Sequence, residues 1–290
     1  MNILVTGGAG FIGRHLVSRL VSKGHNVTVY DNFSTSKKDP IDKVKIIEGD
    51  VRDADDVQRA VRGVEAVFHL AAITEARATD DDLVYNTNFI GSKNIFEAAK
   101  AAGAKVVFTS SAAVYGESKI TKESDECHPL SQYGKSKLRA EKICPEGSFI
   151  ARLFNAYGPG GHSVINKFCK LIPKYDDVTI FGHGNQTRDF IYIDDVVSAL
   201  MLGLEASGTY NIGTGKETSV MEIVDIIHSM TKSKPNIKFG PAVPGEITRS
   251  KADITNIQKT TWFPKTELPD GIELVLKSQG FDFSVIEHLK

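Results

Sequence analysis

The chain has 290 residues, 41% of them apolar and 24% charged, with a formal net charge of −1. That size supports one large α/β domain or two smaller ones. A near-neutral surface without long runs of one sign excludes a nucleic-acid or membrane-surface footprint, although a few local donors could still hold an anionic ligand.

The chain enters "NILVT" at once, leaving no room for a signal peptide, and no apolar run approaches transmembrane length. Cys127, Cys144 and Cys169 are widely spaced and fit no ligand or disulfide pattern. Reduced thiols, no metal and a cytoplasmic location are therefore expected. The first 160 residues alternate β-branched runs with helical patterns. Strands are predicted over 2–6, 26–30, 43–49, 64–70, 105–111 and 149–154. Among the helical stretches, 11–22 repeats Ile12, Leu16 and Leu20 every fourth residue. Strands apolar throughout suit a parallel sheet covered on both faces, and the alternation reads as a doubly wound fold. Beyond about 160 the spacing predicts a helix over 163–172, strands within 178–193, and helices over 195–205 and 219–232. A Pro-rich segment (235–244) and two last helices follow. The expected fold is α/β, a doubly wound parallel Rossmann sheet over residues 1–160 with a smaller C-terminal α/β domain over 161–290, exchanging some strands and helices.

In "LVTGGAGFIG", Gly7, Gly10 and Gly13 follow the first strand and open the first helix. Glycines there let the backbone approach a pyrophosphate, whose charge meets the amides of a helix N-terminus. Asp31 closes the second strand, where a carboxylate accepts ribose hydroxyls and repels a 2′-phosphate; NAD is thus expected over NADP. Asp50, ending the third strand in "GDVRD", is placed for adenine, with a plain turn aspartate as the alternative. The small residues of "HLAA" (69–72) would let a ribose pass.

Tyr133 and Lys137 in "YGKSK" lie at i and i+4 on one helix face, a pair that alone arises nearly by chance. The strand ending in Ser110 and Ser111 ("TSSAAVYG", 109–116) emerges on the same carboxyl edge as the nucleotide crevice. A tyrosine acting as base must ionise well below its ordinary pKa of about 10, and one nearby positive charge lowers it by roughly 1–3 units. Lys137 and an oxidised nicotinamide would supply two such charges, while Ser111 holds the substrate oxygen.

Taken together, GGAGFIG, Asp31, HLAA, SSAAVYG and YGKSK resemble the extended short-chain dehydrogenase/reductase superfamily, above all its nucleotide-sugar epimerases of the UDP-galactose (UDP-glucose) 4-epimerase type. The resemblance continues through "RLFNAYGPGG" (152–161), "TRDFIYIDDV" (187–196) and "YNIGTG" (210–215). It implies Ser111, Tyr133 and Lys137 as catalytic residues. It implies a cofactor set of Gly7, Gly10, Phe11, Ile12, Gly13, Asp31, Asn32, Ser34, Asp50, Val51, Leu70, Ala71, Ala72, Asn88, Ser110, Tyr133 and Lys137. For the nucleotide sugar it implies Ser111, Asn155, Arg188 and Glu246, with Arg249 replacing an arginine whose usual place is taken by Val243. Ser250 falls at the family's gate against N-acetyl groups, where a small residue admits N-acetylhexosamines.

Within that superfamily the 4,6-dehydratases carry Asp-Glu, and the decarboxylases a Glu, just before VYG. Here those places are Ala112 and Ala113, which transfer no proton. Epimerisation at sugar carbon 4, a step of carbohydrate metabolism, requires no further acid and is the expected reaction, by way of a 4-keto intermediate. A 4,6-dehydratase, an NAD(P)-dependent 4-ketosugar reductase and a non-catalytic NAD-binding redox sensor are the alternatives. A reductase would consume added NAD(P)H, and a sensor would bind nucleotide without converting sugar. Helical stretches 88–102 and 134–143 carry apolar residues on more than one face, as expected of a homodimer interface or of a helix buried in a monomer.

Overall fold

A computed structural model describes residues 1–74, 80–118, 120–242 and 247–284. The chain divides into two compact units. The first comprises 1–116, 123–153 and 197–211, and the second 117–122, 154–196 and 212–290.

In chain order the elements are β1 (Asn2–Thr6), α1 (Phe11–Ser22), β2 (Asn26–Asp31), β3 (Lys45–Glu48), α2 (Ala54–Ala60), β4 (Ala66–His69) and α3 (Asp81–Tyr85). A π-helical turn (Asn86–Ile90) joins α3 to α4 (Gly91–Ala102), followed by β5 (Lys105–Ser111), α5 (Gln132–Ile143) and β6 (Phe149–Leu153). Then come β7 (Asn155–Tyr157), α6 (Val164–Leu171), β8 (Asp177–Phe181), β9 (Thr187–Arg188), β10 (Phe190–Tyr192), α7 (Ile193–Leu202) and β11 (Gly208–Ile212). The last are β12 (Thr218–Ser219), α8 (Val220–Thr231), β13 (Asn236–Gly240), α9 (Thr255–Gln258) and α10 (Leu268–Ser278).

The first unit is built on a seven-stranded sheet of order β11-β6-β5-β4-β1-β2-β3. Pairings from β3 through β6 are parallel. This is the doubly wound α/β fold expected of the sequence, and its order reverses between β1 and β4, where such sheets open a ligand crevice. Leu4, Val67, Phe96, Phe108 and Val106 pack in one core cluster with Ile95 and Ala140 of the covering helices. Continuous burial of β4 explains why that strand reads as an unbroken apolar run.

The second unit contains three strand pairs: β7 with β10 and β8 with β13, both parallel, and β9 with β12, antiparallel. β13 lies within the segment read as merely Pro-rich. Its residues are largely exposed, so it lacks the buried alternation that marks a strand in sequence. Ser219 opens α8 with a reciprocal capping box, its side chain on the Glu222 amide and Glu222 on its own. No helix among the described residues is long and apolar enough to cross a membrane.

Candidate active site

Gly7 (φ 67°) turns the chain after β1 so closely that a Cβ there would lie 2.7 Å from the Ala71 amide nitrogen. A Cβ on Gly13 would lie 2.3 Å from the Gly7 carbonyl oxygen. The loop is thus compressed against both the HLAA turn and its own helix. The first bond within α1 runs from the Arg14 amide to the Gly10 carbonyl (3.0 Å), so Phe11, Ile12 and Gly13 present amides without a helical acceptor. No side chain caps this N-terminus and its first turn carries no acid, an arrangement suited to a pyrophosphate.

Asp31 is buried, and its carboxylate accepts from the amides of Ala9 (3.0 Å) and Phe33 (2.9 Å) and from the Ser36 hydroxyl (3.2 Å). A carboxylate offers about four acceptor positions, so one remains for a ribose hydroxyl. Phe33 adopts a left-handed conformation (φ 55°) to return its amide to Asp31. Asn32 and Ser34 are exposed, joined through Asn32 Oδ1.

Asp50 is differently occupied. Its oxygens accept from the Arg52 amide (2.9 Å), Arg52 Nε (2.9 Å) and Nη2 (2.7 Å), and Asn32 Nδ2 (3.0 Å). The Arg52 side chain is the main cause that pulls its carboxyl down to about 2. All four acceptor positions are filled, so an adenine amine would have to displace one donor. Val51 turns its side chain into the core. Leu70, Ala71 and Ala72 follow β4 directly and are half-buried.

Behind this crevice runs a directed hydrogen-bond chain. The β1–β4 register sets Thr6 opposite His69. The Ala71 amide donates to Thr6 Oγ1 (3.2 Å), which lies 2.7 Å from His69 Nδ1. His69 Nε2 lies 2.9 Å from Ser92 Oγ, and Ser92 donates its only proton to the Asn88 carbonyl (2.5 Å). His69 therefore carries its proton on Nε2, and the Thr6 hydroxyl donates to Nδ1. Burial, seconded by the Lys137 charge, pushes the imidazole down to about 3, so it stays neutral.

Asn88 sits on the π-helical turn. Its side chain accepts from the Ile73 amide (2.7 Å) and donates to the Ile73 carbonyl (2.9 Å) and to Ser136 Oγ (3.2 Å). Ser136 donates in turn to the Tyr133 carbonyl (2.7 Å). The strands that shape the crevice are so joined to the helix bearing Tyr133.

Ser131 caps α5 through the Gly134 amide (3.1 Å). A Cβ on Gly134 would lie 2.5 Å from the Ala113 carbonyl oxygen, so this glycine brings the helix against the turn after Ser111. Lys137 is 2% exposed, donates to the Thr109 carbonyl (2.8 Å) and stands 6.0 Å from the Tyr133 ring centre. Burial lowers its pKa to about 7, opposed by the Glu141 charge. Ser111 ends β5 and accepts from the Ala113 amide (3.2 Å), capping a single helical turn over Ala112–Val114. Ser110, the preceding residue on β5, has its hydroxyl bonded to Glu141 of α5.

In the second unit, Asn155 Nδ2 donates to the Asp189 carbonyl (3.3 Å), and Arg188 Nη1 to the Thr187 carbonyl (2.9 Å). The fully buried Asp189 carboxylate accepts from the Thr214 amide (2.8 Å) and hydroxyl (2.7 Å) and from the amides of Gly215 (2.9 Å) and Ala252 (3.1 Å). It staples the "IGTG" loop beside Arg188. Arg249 forks onto Glu217 (2.9 and 2.8 Å), which also accepts from the Thr187 hydroxyl (2.9 Å). Ser250 is half-buried beside the Thr187–Arg249 bridge. Val243 and Glu246 lie outside the described residues.

Sequence reasoning singled out neither His69, Ser92 and Ser136 nor Glu141, Arg152 and Asp189. Ser136 and Glu141 were accessible in principle, at i+3 and i+8 from Tyr133 on one helix. The others act across large sequence separations.

The family model described as "NAD dependent epimerase/dehydratase family" matches residues 3–213. The "Putative UDP-glucose 4-epimerase" of Methanocaldococcus jannaschii is 37% identical over 295 residues, spanning 94% of this chain and 97% of that protein. The UDP-N-acetyl-alpha-D-glucosaminuronate decarboxylase of Bacillus cytotoxicus is 32% identical, spanning 93% of this chain and 95% of its own. Among solved structures, the Thermus thermophilus UDP-glucose 4-epimerase in complex with NAD superposes with a TM-score of 0.90 at 30% identity, covering 96% of this chain and 99% of that one. The chain belongs to the NAD dependent epimerase/dehydratase family.

Proposed function

We propose that this family member epimerises a nucleotide-diphosphate sugar at carbon 4, with UDP-glucose and UDP-galactose as substrates and their N-acetylhexosamine forms accepted beside them. NAD belongs to residues 1–160: the amides of Phe11, Ile12 and Gly13 take its pyrophosphate, Asp31 its adenosine ribose, and Lys137 its nicotinamide ribose. Bound NAD supplies the hydride acceptor and, on the return, the hydride donor. Ser111 holds the 4-oxygen of the sugar, and Tyr133 removes its proton as carbon 4 becomes a ketone. The Lys137 ammonium favours ionised Tyr133. After the ketone turns its other face, hydride returns to carbon 4 and Tyr133 returns the proton to its oxygen, with no net redox change. Asn155 and Arg188 are proposed to hold the diphosphate, with residues 161–290 as the sugar-nucleotide domain.

The observation that carries this reading over decarboxylation or dehydration is the turn after Ser111. Ala112 and Ala113 form it, the first turn of the Tyr133 helix packs directly against it, and it holds no carboxyl. Arg249, committed to Glu217, serves the diphosphate only by leaving that partner. A homodimer through the helical stretches 88–102 and 134–143 belongs to the same proposal.

Incubation with a panel of UDP-sugars, with no cofactor added, tests the proposal. Epimers are expected. Released carbon dioxide from a UDP-uronic acid, a 4-keto-6-deoxy product, or dependence on stoichiometric NAD(P)H would replace it with a decarboxylase, dehydratase or reductase.

A further inference from the structure

Tyr133, Lys137 and Glu141 recur every fourth residue along α5. The first two enter the proposed chemistry and the third does not. Glu141 is nevertheless held firmly on both carboxylate oxygens. Arg152 grips it through Nε (3.1 and 3.2 Å) and Nη2 (2.7 Å), with both side chains under a tenth exposed (8% and 7%). Ser110, directly before Ser111, donates to the same carboxylate, and the β5–β6 register places Ser110 opposite Arg152.

The guanidinium reaches further. It lies 4.8 Å from the ring centre of Tyr115 and donates to the Glu123 carbonyl (3.3 Å). Tyr115 donates to Asn211 Oδ1 (2.6 Å), and the Asn211 amide returns to Glu123 Oε1 (2.8 Å). Ser110 and Tyr115 are thus both fastened to one ion pair, and Ser111, Ala112, Ala113 and Val114 are the chain between them. The same pair is rooted in α5, two turns beyond Tyr133.

We propose that the buried Glu141–Arg152 pair is a positioning element for the reaction, holding the 110–115 segment and α5 in one register and so setting Ser111 against Tyr133. The proposal rests on the roles given to those two residues above. Burying two charges is costly, and an apolar pair of similar volume commonly serves stability as well or better. An ion pair in this place therefore points to geometry and not to stability alone. Glu141 also favours the charged form of Lys137; among the described residues, Tyr133 on the same helix and neutral His69 from β4 are the other titratable groups near it.

The test is the double variant Glu141→Met/Arg152→Met, with Tyr133→Phe as control. The double variant is expected to fold, bind NAD as the wild type does and keep its KM, while kcat falls by roughly 10²-fold, the cost of about an ångström of misplacement. Arg152→Lys keeps the charges but loses the fork, and gives a smaller loss of kcat at unchanged KM. In Glu141→Gln, the tyrosinate absorbance titration of Tyr133, read as a difference against the same variant carrying Tyr133→Phe, moves to higher pH. Wild-type kcat in the double variant overturns the proposal. So does a parallel decline of kcat, KM, NAD binding and stability, which marks a merely structural pair. If the double variant does not fold, Arg152→Lys decides by the same split between kcat and KM. Full activity in Tyr133→Phe is a different result: it removes the underlying assignment of the base.

Discussion

The Lys137 ammonium donates to the backbone carbonyl of Thr109 at 2.8 Å. Thr109 stands on β5 two residues before Ser111, so this bond joins the charge, the serine strand and the tyrosine helix. It also leaves two ammonium protons for other partners.

Tyr133→Phe removes the proposed base while keeping the ring. Turnover is expected to fall by roughly 10²–10⁴-fold, the usual scale of general-base catalysis, with NAD still bound. Steady-state rates and a nucleotide-binding titration measure the two separately. A wild-type rate would take Tyr133 out of the mechanism.

Lys137 has an ordinary pKa of 10.5 but holds its charge in the fold only up to about 7. Between those values the unfolded chain binds more protons, so stability rises with pH. The cost of burying the ammonium is complete below about 7 and shrinks by roughly 1.4 kcal/mol per pH unit above it. Lys137→Met is therefore expected to stabilise the NAD-free protein most at acid pH, the advantage closing toward 10.5. Urea denaturation across that window checks it; an advantage independent of pH contradicts a buried ammonium.

His69 shows the same linkage on the acid side. Its pKa drops from 6.5 to about 3, so the unfolded chain binds more protons below 6.5 and stability is lost as pH falls toward 3. His69→Gln is expected to destabilise by roughly 1–3 kcal/mol at neutral pH, because the Thr6 hydroxyl loses its acceptor. The gap should narrow on acidification, since glutamine does not titrate. A gap that widens would mean the imidazole is charged in the fold.

Ser250→Tyr is expected to exclude N-acetylhexosamine substrates and spare plain hexoses, as read from kcat/KM for each sugar. Equal losses for both would place the gate elsewhere.

The sheet and its glycine loop were legible because their signals are local. The spacing of Ile12, Leu16 and Leu20 locates α1 over Phe11–Ser22, and the β-branched run locates β5 at Lys105–Ser111. The tyrosine–lysine pair was legible as two positions on one helix face. The network around the pair was not. Thr6, His69 and Ser92 meet only because β1 and β4 pair in one register, and Ser110 meets Arg152 only through the register of β5 with β6. Ser110, which the resemblance places among the cofactor contacts, bonds its hydroxyl to Glu141, a partner thirty-one residues on that its sequence neighbours do not reveal. The saturation of Asp50 by Arg52 was likewise hidden, since "GDVRD" does not show that the arginine folds back two residues.

In the proposed reaction hydride leaves carbon 4 of the sugar and returns to that same carbon. Its most direct test is a UDP-hexose deuterated at carbon 4, incubated in ordinary water without added cofactor and followed by mass spectrometry and proton NMR. The 4-epimer is expected with its deuterium retained. Epimer in which solvent hydrogen has replaced the label, or a product lacking carbon dioxide or water, would contradict it.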